Sequence, residues 1–88
     1  MEKDIFKKNK IKFVFMGNEG MALSLISDNL YTLNETASFV LKNINGKRSK
    51  KEIINKFLKE YKAGRAQIEK DVENSLNFFI KNKLIKKL

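Results

Sequence analysis

Glu69, Asp71 and Glu73 form the tightest cluster of carboxylates in this 88-residue chain. Converging carboxylates can grip a divalent cation or divide acid and base roles in a hydrolysis. Here the surrounding pattern is helical, and at the pitch of an α-helix Asp71 lies about 200° from the acid on either side. The three do not converge. They read as acids of a helix's first turn, favoured there by the helix dipole. The chain holds no histidine and no cysteine, which removes the usual general base, the activated thiol and the commonest metal ligands. Gly17-Asn18-Glu19-Gly20 lacks the spacing of a phosphate loop and joins two strands rather than a strand and a helix. The expectation is a protein that is not an enzyme, with no catalytic residues, no metal and no cofactor of its own.

Binding is the chemistry that remains. Leu30-Tyr31-Thr32-Leu33 reads as the last strand of a meander. Such a strand is an edge, and proteins commonly guard edges with lysine, proline or a bulge. The chain carries 17 lysines, yet none falls between Phe13 and Leu41. Asn29–Leu33 is thus an unguarded edge, suited to accept an added strand through main-chain hydrogen bonds. The competing arrangement covers this edge with the third helix or the amino-terminal segment. Phe78 lies off the buried face of that helix, on a flank shared with Gln67, Asp71, Asn74 and Ser75. An aromatic side chain with polar groups above it could line a groove. The alternative for Phe78 is packing against the carboxyl-terminal tail.

These residues need elements to hold them. Ile11, Phe13 and Phe15 alternate with Lys12, Val14 and Met16, a strand pattern. A turn over Gly17–Gly20 leads to a second strand from Met21 to Ile26, and Ser27-Asp28-Asn29 turns into the third. The period then becomes helical. Asn34 caps a first helix with Ala37, Val40, Leu41 and Ile44 on one face, stopped at Asn45-Gly46. Ser49 and Glu52 form a capping box for a second, which carries Ile53, Ile54, Phe57, Leu58 and Tyr61 and ends near Ala63-Gly64. A third, over about residues 66–82, buries Ile68, Val72, Leu76 and Phe79, and Leu84, Ile85 and Leu88 pack back as a tail. The fold class is α+β, winged helix-turn-helix-like: a three-stranded antiparallel sheet followed by three helices, βββααα. Residues 1–88 read as one domain, with 1–9 a flexible charged lead-in.

Charge is unevenly placed. Residues 1–12 sum to +3, residues 13–41 to −3 and residues 42–88 to +9. Arginine is scarce, with only Arg48 and Arg65, which weakens a base-reading role in DNA binding. The lysines read equally as a mostly solvated surface or as a modest attraction for an acidic partner. No uncharged run approaches the roughly 18 residues that span a bilayer, and no secretory signal opens the chain. A cytoplasmic protein with no membrane contact is expected.

From Leu30 to Ile85 the chain resembles the PqqD-like family, small peptide-binding proteins also called RiPP recognition elements. The matching features are Leu33-Asn34, Thr36-Ala37, Val40-Leu41, Asn45-Gly46 in place of Asp-Gly, Glu52-Ile53 after a Ser cap, Asp71-Val72, Leu76, Phe79 and Leu84-Ile85. Ser75 stands where a bulky apolar residue is common and Lys83 where a glycine is common. These departures bear on groove depth and the last turn, not on the fold. The resemblance implies that the leader of a ribosomally made precursor peptide adds as a strand beside Leu30, Tyr31, Thr32 and Leu33. That strand would lie against Asp71, Ser75 and Phe78 of the third helix. Asn74 joins the site on its helical position. The resemblance also implies a partner enzyme, such as a radical S-adenosylmethionine maturase, which would own any cofactor. The protein would be a monomer, or a homodimer paired through the bare edge. The alternative is a small basic winged-helix nucleic-acid binder, disfavoured because its recognition helix would turn Glu69, Asp71 and Glu73 toward phosphates.

Overall fold

The computed structural model describes residues 4–88, and the first three residues of the expected lead-in lie outside them. In chain order the elements are β1 (Phe6–Lys8), β2 (Ile11–Met16), β3 (Glu19–Ser24), β4 (Leu30–Leu33), α1 (Glu35–Lys42), α2 (Lys50–Glu60), α3 (Arg65–Lys81) and β5 (Ile85–Lys87). Strands β2, β3 and β4 form an antiparallel sheet in that order. This is the expected meander, and with the three helices it gives the expected α+β layout. A second, two-stranded antiparallel sheet joins β1 to β5.

The first hairpin is tighter than the sequence suggests. Met16 stands opposite Glu19, leaving only Gly17 and Asn18 in the loop. Gly17 takes a φ of +64°, as the first position of a type II′ turn requires. Glu19 and Gly20 therefore belong to β3 rather than to the turn. Gly20 sits under the Phe15 ring: a Cβ there would lie 2.7 Å from Phe15 Cδ1. The far end of β3 is correspondingly early. The buried Ser24 hydroxyl accepts from the N–H groups of Ile26 and Ser27, both at 3.2 Å. This turns the chain at Leu25 and leaves Leu25 and Ile26 exposed outside the strand.

The caps act as their residue types demand. Asn34 accepts from the Ala37 N–H at 2.8 Å, and Ser49 and Glu52 close a reciprocal capping box. α1 ends at Lys42, two residues before the apolar periodicity does, and Ile44 is buried from the loop beyond. α2 ends at Glu60, with Tyr61 extended and stacked against Phe57 at 4.6 Å. α3 starts on Gly64 without a side-chain cap, and Arg65 opens its first turn. The expectation of first-turn acids at Glu69, Asp71 and Glu73 is thus corrected: they fall in later turns. There Asp71 accepts from Gln67 at 2.9 Å and Glu73 pairs with Lys50 at 3.4 Å.

α3 closes on Asn82. Leu84 N–H donates to Phe79 O at 2.8 Å and Lys83 N–H to Ile80 O at 3.1 Å, with Lys83 at a φ of +59°. This is a Schellman ending, so the lysine stands in the left-handed position a glycine would fill without strain. The chain then runs straight into β5. Over residues 4–9 the structure departs from the expected flexible lead-in: Phe6 is buried in the core, and β1 is held between β5 and the segment before α2. Buried side chains at Phe6, Ala22, Leu33, Phe39, Val40, Leu41, Ile53, Phe57, Val72, Leu76, Phe79 and Leu84 form one core. The helices cover the sheet face that carries Ala22 and Leu33. Of the expected tail, Leu84 and Ile85 are buried and Leu88 is exposed.

Candidate functional site

β4 is an edge of the main sheet, and its register decides which of its backbone groups are free. Ser24 N–H donates to Asn29 O at 3.0 Å, and the pairing continues through Ala22 opposite Tyr31 and Gly20 opposite Leu33. Hydrogen-bonded and non-bonded pairs alternate along an antiparallel ladder. Asn29, Tyr31 and Leu33 therefore face β3 with their N–H and C=O groups. Leu30 and Thr32 turn theirs outward. Among the described residues neither β1 nor α3 closes this edge: the former pairs with β5, and the latter stands across a groove.

That groove has a volume of about 330 Å³ and is lined by Thr32, Leu33, Asn34, Ala37, Asp71, Asn74, Ser75 and Phe78. The structure brings together six of the eight residues expected from sequence. The other two bound it. Leu30 points its side chain to the outer face of the sheet and is 59% exposed. Tyr31 packs edge-on against Phe78, with ring centroids 5.5 Å apart at 89°. Its hydroxyl donates to Asn82 Oδ1 at 3.1 Å, and Asn82 in turn donates to Phe78 O at 2.9 Å. Tyr31, Phe78 and Asn82 thus clamp the middle of β4 to the last turn of α3 and hold the groove at a set width. Phe78 packs on the strand rather than on the tail, and it remains 41% exposed.

Two groove residues, Asn34 and Ala37, and the clamp residue Asn82 lie outside the site expected from sequence. Asn34 and Ala37 were read as cap and core, but their side chains also floor the groove because α1 starts directly at the end of β4. Asn82 stands one helical turn beyond Phe78 on the same flank, a spacing that could have found it. Ser75, where a bulky residue was the norm, leaves room beside Leu33. No cation lines the groove; Asp71 is its one charged group, and one carboxylate oxygen already accepts from Gln67.

The outer face of the sheet is apolar as well. Val14, Met16, Met21 and Leu30 are all exposed there, between 38% and 78%. A second depression, between the hairpin tip and α1, holds only about 50 Å³, too little for a peptide side chain of any size. Among the described residues no three carboxylates gather as a metal site, and no helix is long and apolar enough to cross a membrane.

Two solved structures share this architecture. One, described as "TbiB1 in Complex with the TbiA(beta) Leader Peptide", superposes with a TM-score of 0.80 at 18% identity over 91% of this chain and 94% of that one. The other, described as "Lasso peptide synthetase B1 complexed with the leader peptide", gives 0.77 at 18% identity over 92% and 96%. At that identity the likeness establishes the fold. No curated protein sequence matches the chain significantly. The profile of a protein family, coenzyme PQQ synthesis protein D (PqqD), matches residues 19–85. That match spans β3 to β5, including both walls of the groove, and the chain belongs to the PqqD family.

Proposed function

We propose that this protein captures the leader segment of a ribosomally synthesised precursor peptide as an added strand on β4 and presents it to a modifying enzyme. The observation that carries the reading is the open edge of Leu30 and Thr32 beside the α3 groove, in a chain of this family. An incoming strand would pair its backbone with these two residues. Side chains directly opposite each other share a sheet face. Peptide residues opposite Tyr31 and Leu33 would enter the groove toward Phe78, Ala37 and Ser75. Their neighbours, opposite Leu30 and Thr32, would extend the apolar outer face. The leader peptides named in the two solved relatives support this occupant.

Leu30, Tyr31, Thr32, Leu33, Asp71, Asn74, Ser75 and Phe78 are the binding residues in this reading. The protein itself is not an enzyme and carries no cofactor. It works as a single cytoplasmic domain, and its partner enzyme, such as a radical S-adenosylmethionine maturase, supplies the chemistry. A useful adaptor would bind at about micromolar affinity or tighter, about −8 kcal/mol. The edge also permits a homodimer paired through β4, which the peptide would compete apart.

Nitrogen-15 amide spectra of the full chain test the reading at physiological salt. The titrants are the short peptide encoded nearest its gene and a random DNA duplex. The expected outcome is saturable shifts confined to Asn29–Leu33 and the Phe78 flank of α3 with the peptide. Shifts with DNA alone, spread over the lysines of residues 42–88, would transfer the protein to the nucleic-acid reading.

A further inference from the structure

Three segments far apart in sequence build the layer that contains the second sheet. Asp4–Lys10, Asn45–Lys51 and Lys83–Leu88 hold three, four and three basic residues, against the carboxylate of Asp4 within them and that of Glu52 at their border. Backbone bonds hold the layer in one shape. β1 pairs with β5, Ile5 bridges Ser49, Phe6 O accepts from Gly46 N–H at 2.9 Å, and Asp4 O accepts from Lys50 N–H at 2.8 Å.

Within the ribbon Lys7 stands directly opposite Lys86, and both are exposed. Like charges in this position repel. Elsewhere the layer's cations have partners: Lys87 pairs with Asp4 at 2.8 Å, Lys50 pairs with Glu73, and Lys8, still charged, lies 4.6 Å from the centre of the Phe13 ring. Lys7, Lys47, Lys83 and Lys86 make no ion pair among the described residues. The layer meets the main sheet at β2, two strands from the β4 edge.

We infer that this cationic layer is a docking surface for an acidic polypeptide face on a partner protein, separate from the β4 groove. A fixed cluster of cations that outnumbers its neighbouring carboxylates, Asp4 and Glu52 among the described residues, is complementary to a cluster of carboxylates, and such pairing sets encounter rate and orientation. The groove itself is free of cations, so the two surfaces ask for different chemistry. The dimensions favour a protein over nucleic acid. Three-residue strands extend only about 10 Å. Beyond them Glu52, Glu60, Glu69 and Glu73 interrupt the lysines of α2 and α3, so no positive track continues along a phosphate backbone.

The test titrates the nitrogen-15-labelled full chain with a synthetic oligo-glutamate peptide and, separately, with random duplex DNA. Lys86→Glu is compared with the charge-matched control Lys70→Glu. The first substitution turns a repelling cross-strand pair into an attracting one, so its melting temperature should hold or rise. Oligo-glutamate should shift amides at residues 5–10, 46–49 and 83–88, and Lys86→Glu should weaken it about tenfold while Lys70→Glu changes it less than about twofold. Equal weakening by both variants, or shifts spread evenly over α2 and α3, would overturn the inference. Tighter binding of duplex DNA than of oligo-glutamate at these same amides would overturn it too. Shifts at β4 with a leader peptide are read separately, so the two surfaces stand or fall independently.

Discussion

From Phe13 to Leu41 the molecule has no cation, and this stretch supplies all of the main sheet but Ile11 and Lys12, together with its open edge and one wall of the groove. Residues 4–10, 45–51 and 83–88, which build the layer around β1 and β5, hold ten cations and the one acid Asp4. Both surfaces are organised by backbone pairing, but they are prepared for opposite kinds of contact. A lysine on β4 would guard the edge against a new strand, so an edge meant to be paired has to be kept clear. On the second sheet β1 is already bonded on both sides, and lysine side chains add charge without blocking that pairing. The placement of lysine thus separates recognition by backbone and shape from recognition by field.

The sharpest way to break this contrast is through what the two regions share. Phe79 is fully buried in the one core that both surfaces enclose. Phe79→Ala should cost about 3–5 kcal/mol of stability, seen as a large fall in the denaturation midpoint, and should weaken both surfaces together. A selective loss at one of them would show that they do not rest on a common core. Thr32→Pro acts on the edge alone. Its N–H points away from β3, so proline removes a donor for the added strand without removing a ladder bond. Leader-peptide affinity should fall by about 100-fold or more by titration calorimetry, with the melting temperature nearly unchanged. Unaltered affinity would remove strand addition at this edge.

Smaller changes sharpen the boundary. Phe78→Ala should weaken peptide binding by more than about 1 kcal/mol, as expected of a groove anchor. A drop in thermal stability with full affinity would instead make Phe78 part of the core. In the cationic layer, Lys83→Gly should raise stability by about 1 kcal/mol, because glycine takes the left-handed position without a Cβ penalty. Thermal melts read this directly. The smallest effect lies at Asp4, whose carboxyl is held below its ordinary value of 3.8, first by the hydrogen bond from Lys87 and then by its charge. A lowered folded value means the unfolded chain takes up the proton first. The contribution is present above the ordinary value and is lost as pH falls through the lowered one. Asp4→Asn should therefore flatten the acid limb of the melting curve against pH and leave neutral behaviour nearly the same.

Much of this was legible from local chemistry. Asn34 and Ser49 cap the helices they were expected to cap, because a capping side chain acts on backbone within three residues of itself. The strands alternated as written, and the bare edge stood out because lysine is common elsewhere. The boundary errors have local causes as well. A two-residue II′ turn needs less chain than the Gly17–Gly20 stretch offered, and the Ser24 hydroxyl ends β3 before its apolar residues do. The lead-in misled for another reason: a three-residue, lysine-rich strand carries almost no periodicity.

The order of types along the chain determined the βββααα layout and the lysine-free edge strand, since each follows from residues close together in sequence. Only the tertiary structure decided that Phe6 enters the core, that Tyr31 and Asn82 set the groove's width, and that Lys7 faces Lys86. Those contacts join residues from 51 to 79 positions apart. The loop closure they require is made favourable by the whole core at once, which no local pattern records.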